Sequence, residues 1–243
     1  MRSVLLCSLA PLLASFVLVG GCASVSREQV AVDAIGVAVI GVSLREGVRG
    51  INRSTAARDL ARRLEEGGRR RVVSPGRARE ALGEASREAL LERHARSGLI
   101  EERDVRALVA APLDTRFALF ARIERDEVRE LEPRSEPVRD DGGRTLSDRV
   151  RIERATRRDT ELSAVLVDLH AARVVWLRRY AAAPVTRGES VRYRGSSFTG
   201  SVAALLANRL VSGTGSPDAP PPASRRATLE RLFDEIERSL PVR

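Results

Sequence analysis

Apolar residues along this chain change their spacing several times, and each change predicts an element. From Gly36 to Val42 the run Gly-Val-Ala-Val-Ile-Gly-Val is continuous and β-branched, which predicts a buried strand. Asn52 or Ser54 then offers a helix cap. Ala57, Leu60, Ala61 and Leu64 recur at helical spacing up to Gly67-Gly68, where glycine lets the chain turn away. Arg71-Val72-Val73 predicts a short strand. Ser74-Pro75 opens another helix, with serine as cap and proline preset for the first turn. Leu82, Ala89, Leu90 and Ala95 continue the helical spacing to Gly98, with a break near Gly83, and Glu101 to Ala110 predicts a further helix.

The second half alternates with a period of two. Phe117, Leu119, Ala121 and Ile123 share one face of a strand reaching Val128, and Val150 and Ile152 mark a half-exposed strand over Arg149 to Ala155. Glu161 to Leu169 is the most apolar strand. A turn at His170-Ala171-Ala172-Arg173 returns it as Val174-Val175-Trp176-Leu177, an antiparallel hairpin in which Trp176 is expected as a buried sheet anchor. Residues 129–146, with their prolines and Asp141-Gly142-Gly143, are read as an exposed hairpin loop, and residues 184–200 as irregular. Ser201 to Leu210 predicts a helix and the Gly/Pro/Ser-rich stretch 212–224 a linker. Leu229, Leu232, Phe233, Ile236 and Leu240 form the broadest helical stripe, which is expected to dock on the protein's own sheet.

The elements sum to one α/β (α+β) domain over residues 36–241, with a mixed, largely antiparallel sheet and helices packed on it. Aromatic residues make up only 3% of the chain, so Leu, Val, Ile and Ala must build its core. The formal net charge is +9 and all 42 basic residues are arginine, but they are interleaved with 33 acidic residues. With no dense basic run beside an aromatic platform, the charge does not point to nucleic acid.

The N-terminus has its own pattern. Arg2 precedes an apolar stretch from Val4 to Val19, and Val19-Gly20-Gly21-Cys22 follows. The stretch is short for a membrane-spanning helix, which needs ~20 apolar residues. A plain secretory signal is the other alternative. Small residues ahead of a cleavage point fit a narrow peptidase cleft, and the next residue supplies a thiol. The pattern resembles the lipobox of bacterial lipoproteins: an aliphatic residue, two small residues and Cys. The resemblance implies a signal peptide over 1–21, cleavage between Gly21 and Cys22, lipidation of Cys22 and a tether over 22–35. Ala23 and Ser24, in place of Asp, imply an outer-membrane address in an organism with two membranes. Cys7 would leave with the signal, so the mature chain could form no internal disulfide.

The order of elements resembles the α/β domain shared by several periplasmic lipoproteins. These are the amino-terminal domain of the Tol-system propeller protein, the curli secretion channel family and the lipoprotein activators of penicillin-binding proteins. The resemblance rests on the Ala57/Leu60/Ala61/Leu64 helix before Arg71-Val72-Val73, and on the hairpin Val165-Leu166-Val167-Asp168-Leu169 through Val174-Val175-Trp176. That hairpin departs from the family pattern in carrying Ala172 and Arg173, where Gly or Asn is usual. No functional residue is carried over.

No constellation for catalysis stands out. His94 lies in a charged helical segment and His170 in a turn, and neither has a ligand-type partner at metal spacing. Gly195-Ser196-Ser197-Phe198-Thr199-Gly200 lacks the lysine of a phosphate loop. The expectation is a lipid-anchored, non-enzymatic binding or assembly factor of the cell envelope, on the outer membrane with its domain in the periplasm. Its partners would be the membrane and an envelope protein, without cofactor, metal or nucleic acid. Two alternatives stay open: a subunit of an oligomeric outer-membrane secretion channel of the curli type, and an envelope enzyme of unknown type.

Overall fold

A computed structural model describes residues 36–68, 70–194 and 219–241. One seven-stranded sheet runs through them. Strands β1 (Gly36–Leu44), β2 (Arg71–Val73) and β3 (Phe117–Glu130) are parallel, in the order β2-β1-β3. β4 (Arg134–Arg139), β5 (Thr145–Asp168), β6 (Arg173–Ala182) and β7 (Val185–Tyr193) add antiparallel pairings, all of them to β5, which also pairs with β3.

Helix α1 (Arg53–Glu66) connects β1 to β2, and α2 (Pro75–Leu82), α3 (Glu84–Ser97) and α4 (Glu102–Ala110) connect β2 back across to β3. The two crossovers run in opposite directions along the sheet, so right-handed connections place their helices on opposite faces. On one face α1 and the C-terminal helix α5 (Arg225–Ser239) cover Val37, Val39 and Val42 of β1, Leu119 and Ile123 of β3, and Leu162 and Leu166 of β5. On the other, α2–α4 cover Ala38, Ile40, Phe120, Val165 and Val167. Both faces of the central strands are dry, which explains their unbroken apolar runs.

Local chemistry sets the element ends. Asn52 caps α1 by accepting a hydrogen bond from the Thr55 amide at 3.0 Å. Gly98 ends α3 in the left-handed region at φ 71°. In β1 the register shifts at Ile40, a bulge whose Ile40 carbonyl accepts from Arg87 Nε at 2.8 Å. A Cβ on the adjacent Gly41 would stand 2.9 Å from Leu91 Cδ1, so glycine is what lets α3 approach so closely.

β5 has 24 residues, several times the usual strand length, because two assemblies share it. Its C-terminal half lies between β3 and β6 in the helix-covered body. Its N-terminal half lies between β4 and β7 and forms a three-stranded arm. This corrects three sequence expectations. The separate strands over 149–155 and 161–169 are one strand. Segment 129–146, expected as a loop, is exposed but mostly paired: it comprises the end of β3, all of β4, a turn and the start of β5. Segment 184–200, expected to be irregular, contains β7. The physical reason is common to all three: charged side chains in these segments face water or one another, while backbone pairing to β5 holds the strands.

The remaining elements match their expected positions. α5 buries Leu229, Leu232, Phe233 and Ile236 against the sheet, and Leu240, which ends the helix, is buried with them. The β5–β6 hairpin turns at 169–172, where Asp168 Oδ1 accepts from the amides of His170 at 2.9 Å and Ala171 at 3.1 Å. Ala172 takes φ 49°, a strained choice where glycine is at ease. Trp176 is half-buried, packed at the margin of the α1/α5 core beside Tyr180. The expected helix over 201–210 and linker residues 212–218 lie outside the described residues.

Candidate functional site: the junction of body and arm

The polar residues Arg157-Arg158-Asp159-Thr160 lie where β5 passes from body to arm. Opposite them on β3, Asp126 has a fully buried side chain. Its carboxylate accepts from Arg158 Nη1 at 2.9 Å to each oxygen, from Thr160 Oγ1 at 2.9 Å and from Arg225 Nε at 2.6 Å. Burial pushes this carboxyl up, but the hydrogen bonds from Arg158, Thr160 and Arg225 outweigh it and hold its pKa below the ordinary range. Arg158 Nε also donates to the Ala223 carbonyl at 2.8 Å, and Thr156 Oγ1 to the Pro220 carbonyl at 2.7 Å. The proline-rich segment ahead of α5 is thereby fixed across the root of the arm.

Arg225 extends from this cluster to the Gly50 carbonyl. Beside it, a cleft of ≈ 310 Å³ opens between the start of α1 and the start of α5. Ile51, Ala56, Leu229 and Phe233 give it an apolar floor, and Asp59, Arg226 and Glu230 stand at its rim. The cleft is chemically a place for a small apolar group. Asp126 is not a free base, because two guanidinium groups already occupy its oxygens.

A second buried polar pair lies in the α2–α4 layer. His94 Nδ1 is 3.0 Å from Ser43 Oγ, both residues are 0% exposed, and the imidazole meets the Phe120 ring edge-on at 5.5 Å. His94 Nε2 has no hydrogen-bond partner. Desolvation, then the nearby Arg122 charge, lower its pKa to about 4 against a partial opposing pull from Asp104. A Ser–His pair is the start of a nucleophile, but here both residues are fully buried. Sequence reading placed His94 only in a charged segment. The signal it missed is spacing: His94 follows Leu90 by four and Leu91 by three, on the same buried stripe.

His170 is exposed in its turn, and the structure does not bring it to His94. Among the described residues no group of three or more His, Cys, Asp or Glu side chains is placed to hold a metal ion, and no helix is long and apolar enough to cross a membrane. Gly21, Cys22 and the 195–200 glycine-serine run lie outside the described residues.

No protein-family model matches the sequence, and no curated protein matches it. Among solved structures, the chain is similar to the LpoB C-terminal domain from Salmonella enterica at 12% identity and a TM-score of 0.37, over 62% of this chain and 83% of that one. It is similar to lipoprotein GNA1162 from Neisseria meningitidis at 12% identity and a TM-score of 0.34, over 74% and 99%. It is also similar to the PelC dodecamer from Paraburkholderia phytofirmans at 14% identity and a TM-score of 0.29, over 84% and 88%. The resemblance to lipoprotein-like folds is weak and assigns no residue a role.

Proposed function

We propose that this protein is a lipid-anchored binding or assembly factor of the cell envelope, held on the outer membrane through Cys22 with its α/β domain in the periplasm. The observation that carries this reading is Val19-Gly20-Gly21-Cys22 directly after an apolar run headed by Arg2. Acyl chains on Cys22 would bury methylene groups at ~0.8 kcal/mol each, so more than one chain makes the attachment lasting. The domain's best-formed polar groups support a binding role over a catalytic one. Asp126 is saturated by arginines and Thr160, and Ser43 and His94 are fully buried, with His94 packed edge-on against Phe120.

The secretion-channel alternative needs strands with one apolar, lipid-facing side. In the arm, β5 presents Asp148 and Arg154 on the face of Val150 and Ile152, and Arg149, Arg151, Glu153 and Arg157 on the other. Arginine on a lipid face costs ~2–4 kcal/mol at mid-membrane, so insertion of this arm is disfavoured.

The test is palmitate labelling of cells expressing the wild type and Cys22→Ser, followed by crosslinking and recovery of the tagged chain. The reading expects label and membrane association in the wild type, loss of both in the variant, and a crosslinked envelope protein. A wild type that takes no label, or one that crosslinks to nothing above background, contradicts it.

A further inference from the structure

β6 is the long edge strand of the body: it pairs with β5 on one side, and its other margin is open among the described residues. Edge strands expose a row of backbone donors and acceptors, which proteins usually guard with charge and few apolar residues. β6 keeps three large aliphatic side chains in water, Val174 at 38% exposure, Val175 at 39% and Leu177 at 48%. Trp176 and Tyr180 pack toward the α1/α5 core, which turns Leu177 to the opposite face. There it stands across from Val165, and Val174 across from Val167. The α2–α4 layer covers Val165 and Val167, but no β6 residue joins that core, so the sheet face is uncovered at its rim.

Charge selects the occupant. Arg173, Arg178 and Arg179 are the only charged residues in β6, all exposed. None of the three guanidinium groups makes a hydrogen bond or salt bridge to a described residue, although Arg179 borders a small pocket with Glu124 and Glu161, whereas arginine side chains across the rest of the domain are widely paired. A second copy paired through the same edge would bring six arginines together with no carboxylate from either strand. An extended segment carrying carboxylates and aliphatic residues would satisfy the backbone row, the three cations and the apolar rim together.

We propose that the outer margin of β6 docks an extended acidic and aliphatic strand of another protein by β-strand addition. The inference deepens the adaptor reading and rests on it for the partner's location in the envelope.

The test uses the full chain in detergent and a fluorescein-labelled peptide, Thr-Glu-Glu-Val-Thr-Val-Thr-Glu, followed by anisotropy at physiological salt. Saturable binding is expected, weakened by roughly tenfold or more in Arg178→Glu/Arg179→Glu. A peptide with lysine in place of each glutamate should prefer that double variant. Both positions are exposed, so the variant should melt with the wild type. The proposal is overturned by absent binding, or by affinity unchanged in the double variant. It is equally overturned if the double variant abolishes self-association in sedimentation velocity, or if phosphatidylglycerol vesicles displace the peptide from β6. A palmitate-labelled chain that ignores the peptide removes the edge assignment and leaves the anchor intact. An unlabelled chain that binds it removes the anchor and supports the edge.

Discussion

Acidification from pH 7 to 4 should weaken the fold through His94. In the unfolded chain an imidazole titrates near 6.5, whereas in the fold burial and Arg122 lower it to about 4. Between these values the unfolded chain binds a proton that the folded chain refuses, so stability falls as the pH falls through this window. At ~1.4 kcal/mol per pH unit, the difference corresponds to about 3 kcal/mol lost by pH 4. Asp126, Asp168 and Asp234 also have lowered pKa values, with hydrogen-bonded arginines among the causes. Their stabilising effect is present above the ordinary aspartate value and is lost only as the pH falls below it, so the two effects separate. Urea denaturation followed by circular dichroism at half-unit pH steps reads the slope. His94→Gln, which keeps a hydrogen-bonding group toward Ser43, should flatten it between pH 6.5 and 4.5. A wild type whose stability is level across that interval, or a variant with the same slope, refutes the reasoning.

Other consequences follow from the same geometry. Ala172→Gly relieves a left-handed alanine in the β5–β6 turn and should raise stability by about 0.5–1 kcal/mol in thermal melts; a loss would show that the turn is not strained. Asp126→Ala leaves Arg158 buried without its carboxylate and should cost about 3–5 kcal/mol by urea denaturation, against a contradictory result below ~1 kcal/mol. Phe233→Ala opens a cavity between α5 and the sheet and should cost about 3–5 kcal/mol, while exposed Arg231→Ala should stay within ~0.5 kcal/mol; equal effects would mean that α5 does not dock as described.

The body was legible in the sequence because its elements carry their signals locally. Leu229 to Leu240 has one solution as a helix on a core, and the caps at Asn52 and Ser74 and the terminator Gly98 are local chemistry. The arm was not, because its strands are held by register with β5, and no local pattern announces that a partner lies alongside. Arg157-Arg158-Asp159-Thr160 reads as a break in sequence, yet the residues bridge two halves of one strand because Asp126, 32 residues before Arg158, and Ala223, 65 residues after it, arrive to pair with it. Ser43 likewise carries no sequence signal; only the arrival of α3 over the end of β1 makes it the partner of His94. The exposed edge of β6 was hidden for the opposite reason. The run Val174 to Leu177 marks a strand but not which of its side chains are covered, and only the end of the helical layer at β5 shows that Val174, Val175 and Leu177 are exposed.

Mass spectrometry of the N-terminal peptide from the native protein, isolated from membranes, tests the central claim most directly. The account predicts that the mature chain begins at Cys22 and carries diacylglycerol in thioether linkage on its sulfur. An unmodified Cys22, or a mature chain beginning at any other residue, would contradict it.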